Sequence, residues 1–548
     1  MGLFKVPKRN NISTQKILDL VENEEVSKPK ITLRGTSLSA KIQAIGEKMQ
    51  ADLGELAGDY LLLDTRDKWL DYCSCAVDNG IVSIDTETAG LSFDDIKNIA
   101  GICIYTPNNK PAYAPIGHIS TITEQLLGRQ ITKHDATDGI KMLKDNKVKT
   151  IFHNAYFDLL VIKLCTDIWM DIYWDTLPAS FLLNENESHS LKYQYDKYVM
   201  HGEVGVHKFN DIIGTEIPMN YIPPNIAGVY SSFDPIMTFK LYEFQKPYLT
   251  KGTAECARYK LGGVADIFFT EELPIIPVLA EMKYRGTKID LDIAEKLKVK
   301  YTNLRNKAKE EFNKSVEPLK CEIIHRMDSN HDIEYPINYN SPAQIKILIY
   351  DILKSGVIFK KEETGTGKHV LDTVLADKKY KDTKLYDIVK ALVEVKKYDK
   401  ALNTFIEKII GLAKNGNGVI HSNFNSCAAR TGRLSSSGDI NYQQLPSKLG
   451  DIRNMFTAGS GEVLISCDIK KQEVVVASLI SGDRKLQEAL KSGLDVYSKI
   501  ASIAFDNTYE DNLEFFPDGT TNKEGKARRA SAKAVTLGKD MPLMLEIA

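Results

Sequence analysis

No apolar run in this 548-residue chain approaches the roughly 18 residues that a bilayer-spanning helix needs. The opening stretch MGLFKVPKRNNIST also lacks the hydrophobic segment of a secretory leader. Both absences argue against membrane and secreted classes and make cytoplasmic residence the expectation. Paired cysteines are missing too. The eight cysteines are scattered, and Cys73-Ser74-Cys75 has no second pair at zinc-finger spacing, so reduced structural thiols are expected. A strong charge bias is absent: the formal net charge is −2, so any nucleic-acid binding must use local basic surfaces. There are no internal repeats and no low-complexity blocks.

At this length a single core is excluded, and usual domain sizes give about three or four domains. Residues 1–60 are polar and rich in Lys, Asn and Glu, and read as a loosely ordered lead with one or two helices. From 61 to 250, β-branched runs (GIVSIDTET, IAGICIYTP, KVKTIFHNA) alternate with helical stretches (NAYFDLLVIKL, DPIMTFKLYEFQKPYL), which predicts an α/β domain. Between about 265 and 410 the pattern turns helical. LPIIPVLAEMKYRG stops at Gly286, a long Lys-rich stretch covers 291–320, and SPAQIKILIYDILKSG opens on a Ser-Pro cap signal. The Gly-Thr-Gly-Lys at 365–368 is no phosphate loop, because the upstream glycine spacing is wrong and His369 stands where Ser or Thr is needed. After Gly418 strand signals return, notably GEVLISCDI.

Chemistry gathers in two places. Asp85 and Glu87 follow IVSI on a predicted strand, and their i, i+2 spacing puts both carboxylates on one face. Two acids aimed together repel unless a cation lies between them, which suggests a divalent metal with oxygen ligands. Asn154 and Asp158 stand four residues apart where a strand gives way to a helix, and Tyr230 and Asp234 repeat that spacing. Asp158 and Asp234 have apolar flanks, where an unpaired acid is costly to bury. Further on, Arg433 lies in a Thr-Gly-Arg-Leu-Ser-Ser turn followed by Asn441 and Gln443, residue types suited to DNA sugars and minor-groove acceptors. Asp468 closes the predicted strand GEVLISCDI, and Glu473 begins the next apolar helix.

The order D-x-E, N-x-x-x-D, Y-x-x-x-D resembles the three motifs of the DnaQ-like proofreading exonucleases. The segment WDTLPASFLLNENESHSLK, with Asp175, is similar to the linker of the Pol I-type branch. TGRLSSS…NYQQLP, the motif around Asp468 and the basic helix KARRASAKAVTLG resemble the template-primer segment, motif A and motif B of family A (Pol I-like) DNA polymerases. The resemblance covers residues from about 61 to 538. It implies a mixed α/β architecture: an RNase H-like 3′→5′ exonuclease domain (61–250), palm start and helical thumb (251–415), palm with motif A (416–481) and partial fingers (482–548).

It also implies roles. Asp85, Glu87, Asp158 and Asp234 would hold two Mg²⁺ or Mn²⁺ ions about 4 Å apart for phosphodiester hydrolysis. Tyr230 would orient the attacking water, with Glu87 assisting, and Asn154 would help to position the substrate. Asp468 would bind the polymerase metals, Glu473 would exclude a ribose 2′-hydroxyl, and Arg529 and Lys533 would grip the incoming triphosphate. Leu537 stands where many relatives carry a stacking aromatic. Lys470 and Lys471 replace the more usual Ser-Gln after the motif A acid, and Val475 replaces a common Arg.

Only ten residues follow Gly538. The expectation is a phage-type replicative polymerase cut within motif B. The two polymerase metals and primer extension would then need a separate C-terminal fragment carrying motif C. Partners are therefore DNA, dNTPs and that fragment. Two alternatives remain open: a chain that works only as a 3′→5′ exonuclease, and an inactive DNA-binding truncation product.

Overall fold

The structure, a computed structural model, describes residues 59–120, 123–201, 217–354, 365–446 and 449–536. The polar lead up to residue 58, Leu537 and the end of the basic helix motif lie outside the described residues. The chain divides after Gly461 into two compact units. Among the described residues no helix is long and apolar enough to cross a membrane.

The first unit opens with a six-stranded mixed sheet. In chain order its strands are β1 (Leu61–Leu62), β2 (Ile81–Thr88), β3 (Ile99–Tyr105), β4 (Ala112–Pro115), β5 (Lys149–Phe152) and β6 (Trp174–Asp175). In space they run β1-β4-β3-β2-β5-β6. β2 pairs antiparallel with β3 and parallel with β5, so it sits at the centre. The three predicted strands are all present. β1, β4 and β6 are too short to carry a period-two signal.

Helices Arg66–Asn79, Lys133–Asp145, Ala155–Thr166 and Phe233–Leu249 enclose the sheet and share one core, in which Trp69, Ile102, Phe152 and Trp174 are buried. The Lys133 helix starts from a reciprocal cap, with Thr132 and Asp135 each bonding the other's backbone N–H. The Leu273–Arg285 helix ends where predicted. Gly286 takes φ 64°, and a Cβ there would meet Val419 Cγ1 at 2.6 Å. A short sheet follows in the order Phe456–Thr457, Thr287–Ile289, Val419–Ile420. Two long Lys-bearing helices, Leu291–Val316 and Lys384–Lys400, pack into two further cores, one around Phe312 and Leu392 and the other around Tyr301 and Phe405.

A second small core lies under β3 and β4, joining Cys103 and Tyr113 to Met219, Ile222 and Tyr230. His118 ties it together. The Tyr113 hydroxyl lies 2.6 Å from His118 Nε2, and His118 Nδ1 lies 2.6 Å from the Ile222 carbonyl, so a neutral imidazole accepts from one and donates to the other. Burial lowers its pKa from 6.5 to about 4. A folded-state value below the unfolded one means stability is intact above pH 6.5 and is lost as pH falls toward 4. At about 1.4 kcal/mol per tenfold in proton affinity, the loss is about 3 kcal/mol. Thermal melts at pH 7.5 and 4.5 check this: His118→Gln should lose less stability between them than the natural protein.

The second unit differs from expectation in one respect. The stretch GEVLISCDI, predicted as a strand, has no regular structure and no ladder partner among the described residues. Val463, Leu464, Ile465 and Ile469 are all exposed. A strand exists only through hydrogen bonds to a neighbour, and sequence preference cannot provide one. The helix Gln472–Ser481 begins where expected and exposes Leu479 and Ile480. A small core of Val474, Ala489, Val496 and Tyr497 holds the unit.

Candidate active site

The first constellation converges on the centre of the sheet. Asp85 and Glu87 sit on one face of β2, with Thr86 buried on the other. The β2/β3 register shifts between Glu87 and Thr88, a local bulge that bends the strand just beyond the pair. Cys103 is the cross-strand partner of Asp85, and the ligand atoms of Asp85, Glu87 and Cys103 lie within 4.8 Å of one another. Asp158, 1 % exposed in the first turn of the Ala155–Thr166 helix, accepts a hydrogen bond from Thr86 Oγ1 at 2.7 Å.

Asp234 comes from a break between helices. Pro224–Ser231 ends at Ser232, and Phe233–Leu249 begins with Asp234 in its first turn. Tyr230 and Asp234 were expected on one helix. Ser232 keeps helical dihedrals (φ −67°, ψ −16°), so the i, i+4 relation survives the junction.

The electrostatics are those of a crowded acid cluster. Burial raises the Asp85 pKa well above the carboxylate range, and the charges of Asp158, Asp234 and Glu87 raise it further. Glu87 is pushed up to about 7, first by burial and then by Asp234, against a lowering hydrogen bond from Ser231. Burial likewise raises Asp158, with Thr86 opposing. Among the described residues one ammonium answers them. Lys192 ion-pairs with Asp234 at 3.3 Å, hydrogen-bonds the Tyr230 hydroxyl and lies 4.1 Å from the centre of that ring. Asp234 Oδ1 is buried, accepts no hydrogen bond and meets that ammonium instead.

This donor set fits divalent ions: hard oxygens with excess negative charge, one buried oxygen without a hydrogen bond, and the Tyr230 phenol alongside. Four carboxylates facing one lysine are stable together only if protons or metal ions neutralise the remainder.

Asn154 occupies the N-cap position in a left-handed conformation (φ 74°), exposed, and its side chain makes no capping bond. The cap comes from Asp175, whose carboxylate accepts from the backbone N–H of Asn154 at 2.9 Å and Ala155 at 2.7 Å, and also from Leu177 at 2.9 Å. Burial raises Asp175 to about 6 despite these bonds. Asp175 therefore fixes the start of the helix that delivers Asp158. Sequence reading noted it only as part of a linker.

The second constellation is divided between the two units. In the first, Arg433 is exposed in the turn between the strands Asn423–Asn425 and Ser435–Ser437. Asn441 and Gln443, expected on DNA, use their side chains on their own loop: Asn441 donates to the Ser436 carbonyl (2.6 Å), and Gln443 donates to Leu434 (2.8 Å) and accepts from Ser436 (3.2 Å). In the second unit Asp468 and Glu473 are exposed. Arg529, expected to grip phosphate, makes a two-pronged pair with Asp495 (2.7 and 3.1 Å), and both Arg529 and Lys533 face the Tyr497 ring. Burial of Asp495 opposes ionisation, but the Arg529 and Ser498 bonds hold its carboxyl below the usual range.

Lys192 and Cys103 escaped sequence reading. Lys192 lay within Ser-His-Ser-Leu-Lys with no spacing to mark it, and Cys103 becomes visible only through strand register.

The fold and this acid cluster define a 3′→5′ exonuclease-type domain joined to polymerase-type sequence. The family model for 3′-5′ exonuclease matches residues 60–249, and that for DNA polymerase family A matches 302–538. The DNA polymerase of Escherichia phage T5 is 26 % identical over 509 residues, covering 88 % of this chain and 54 % of the relative. DNA polymerase I of Pseudomonas aeruginosa is 24 % identical, covering 84 % of this chain and 46 % of the relative. The chain thus spans about half the length of these curated relatives. In fold it is similar to the POL domain of Pol1 from M. smegmatis, solved in complex with DNA primer-template and dNTP. The TM-score is 0.58 at 18 % identity, over 87 % of this chain and 72 % of that one. The chain belongs to the family A, Pol I-like DNA polymerases and carries their 3′-5′ exonuclease domain.

Proposed function

We propose that this chain is a replicative family A polymerase polypeptide whose first domain removes nucleotides from single-stranded DNA 3′ ends as a proofreading exonuclease. The observation that carries this reading is the cluster of Asp85, Glu87 and Asp234, half-buried, with the buried Asp158, beside Tyr230. Those four carboxylates would hold two Mg²⁺ or Mn²⁺ ions, which supply charge neutralisation at the phosphodiester and make water nucleophilic at neutral pH. Tyr230 would position that water, and Glu87 would assist it. Asn154, exposed at the helix start, would help to position the substrate strand.

For nucleotide addition, Arg433, Asn441 and Gln443 are proposed to meet the primer-template, and Asp468, Glu473, Arg529, Lys533 and Leu537 the incoming dNTP. Among the described residues no second acid joins Asp468 in a metal-holding group. We propose that the exposed apolar run beside it is covered by further palm structure, which a C-terminal polymerase fragment would provide. Two metals then bind there only in the completed assembly.

The test uses the purified chain with a 5′-labelled oligonucleotide. With Mg²⁺ a single strand should shorten from its 3′ end, and EDTA should stop the reaction. On primer-template with dNTPs the primer should shorten without being extended. Absence of metal-dependent digestion refutes the exonuclease, and extension by the chain alone refutes the need for a second fragment.

A further inference from the structure

We propose that Lys192 is a positioning residue for hydrolysis at the exonuclease site, acting through the Tyr230 hydroxyl. The inference rests on the exonuclease reading above.

The placement of Lys192 is built in. It follows Leu191, which packs with Met237 and Leu241 and so docks the Leu191–Tyr198 helix on the helix that carries Asp234. Its side chain is only 14 % exposed, and its ammonium lies between the Tyr230 hydroxyl and both oxygens of Asp234, at 3.3 and 3.5 Å. A lysine ammonium has three donors and no acceptor. The hydrogen bond to Tyr230 must therefore run from nitrogen to phenol oxygen.

That direction has a consequence. A phenol oxygen occupied by an ammonium donor turns its own O–H toward another acceptor. Bonding to a charged donor also polarises the phenol and makes its O–H a stronger donor. On the reaction side we take that acceptor to be the attacking water. The hydroxide left once a carboxylate has taken a proton has three lone pairs, so accepting from this donor still leaves one for phosphorus and one for a cation that would hold it. The ring is held as well, since the ammonium sits 4.1 Å from its centre. Without Lys192 the direction of that hydrogen bond is no longer fixed by an ammonium donor, and a phenol that accepts from the water instead turns the nucleophile away.

The competing role is structural: a counter-ion for Asp234 and nothing more. The two separate in the full-length chain on a single-stranded substrate with saturating Mg²⁺. Lys192→Met is expected to lower kcat on the order of 100-fold, the scale of a misplaced reacting group, with KM for DNA within about threefold. Tyr230→Phe should lose a similar factor, and the double variant should be no worse than the poorer single one. Lys192→Arg, which keeps a charged donor, should recover most of the rate. In chelator-stripped protein, calorimetry should show Lys192→Met binding Mn²⁺ at least as tightly as the natural protein, because a competing cation has gone.

Losses that multiply in the double variant, a weaker Mn²⁺ affinity that tracks the rate, or a Lys192→Met enzyme at natural speed would each overturn the proposal. An unfolded Lys192→Met with Lys192→Arg as slow as Tyr230→Phe would overturn it too. These results leave the nuclease reading intact. Only a natural chain without metal-dependent digestion removes that.

Discussion

Asp85→Ala and Asp234→Ala are each expected to reduce Mg²⁺-dependent digestion of a single-stranded 3′ end by about 1000-fold or more. That corresponds to about 4 kcal/mol of transition-state stabilisation, at about 1.4 kcal/mol per factor of ten. The two variants should differ in stability. Asp85 is a half-buried acid whose neighbours Asp158, Asp234 and Glu87 all disfavour its charge, so its removal relieves repulsion in the metal-free protein. The melting temperature of chelator-treated Asp85→Ala should match or exceed that of the natural chain. Asp234→Ala removes the counter-ion of Lys192, leaving a largely buried ammonium with one partner fewer. It should melt lower, by an amount in keeping with about 1–3 kcal/mol. Activity lost without stability in the first variant identifies a functional acid. Digestion that persists at natural rates in both would remove the carboxylate cluster as the catalytic centre.

Local chemistry made part of this site legible in the sequence. Asp85 and Glu87 share a face because strand residues alternate, and the β-branched run before them declares a strand. Asp158 was betrayed by the apolar residues around it, since a buried acid requires a reason. Helix punctuation worked as well, and the Leu273 helix stops at Gly286 because that residue takes a positive φ. What escaped depends on contacts distant in sequence. The ion pair of Lys192 with Asp234 spans 42 positions and belongs to no motif with fixed spacing. The Cys103–Asp85 pairing follows from strand register, which the flanking runs do not specify. The hydrogen bonds of Asn441 and Gln443 to their own loop were not legible either, because they follow from short strands whose backbone groups need side-chain amides. The stretch around Asp468 shows the converse: its β-branched composition is that of a strand, yet among the described residues no strand pairs with it.

Trp174→Ala should be among the most damaging changes in the first domain and should silence the nuclease without touching a carboxylate. Trp174 is 1 % exposed, its ring centre lies 4.7 Å from that of Phe268 and 5.2 Å from that of Tyr242, and its indole N–H donates to Gln245 Oε1 at 3.1 Å. Truncation leaves a cavity and deprives a buried amide of its donor, a loss of about 4 kcal/mol. For a domain of this size the melting temperature should fall by about 10 °C. The effect reaches the site through one residue. Trp174 and Asp175 form β6, paired with Ile151 and Phe152, and Asp175 caps the helix carrying Asp158. When the edge strand loosens, that cap is no longer held and Asp158 loses its place beside Thr86. Trp174→Phe keeps most of the ring contact and should retain most of the stability. Because the cap depends on the strand more than on the indole, it should also retain most of the nuclease activity. A Trp174→Ala chain that melts within about 2 °C of the natural protein, no more than the shift expected from about 1 kcal/mol, would show that β6 is held by its backbone pairing alone.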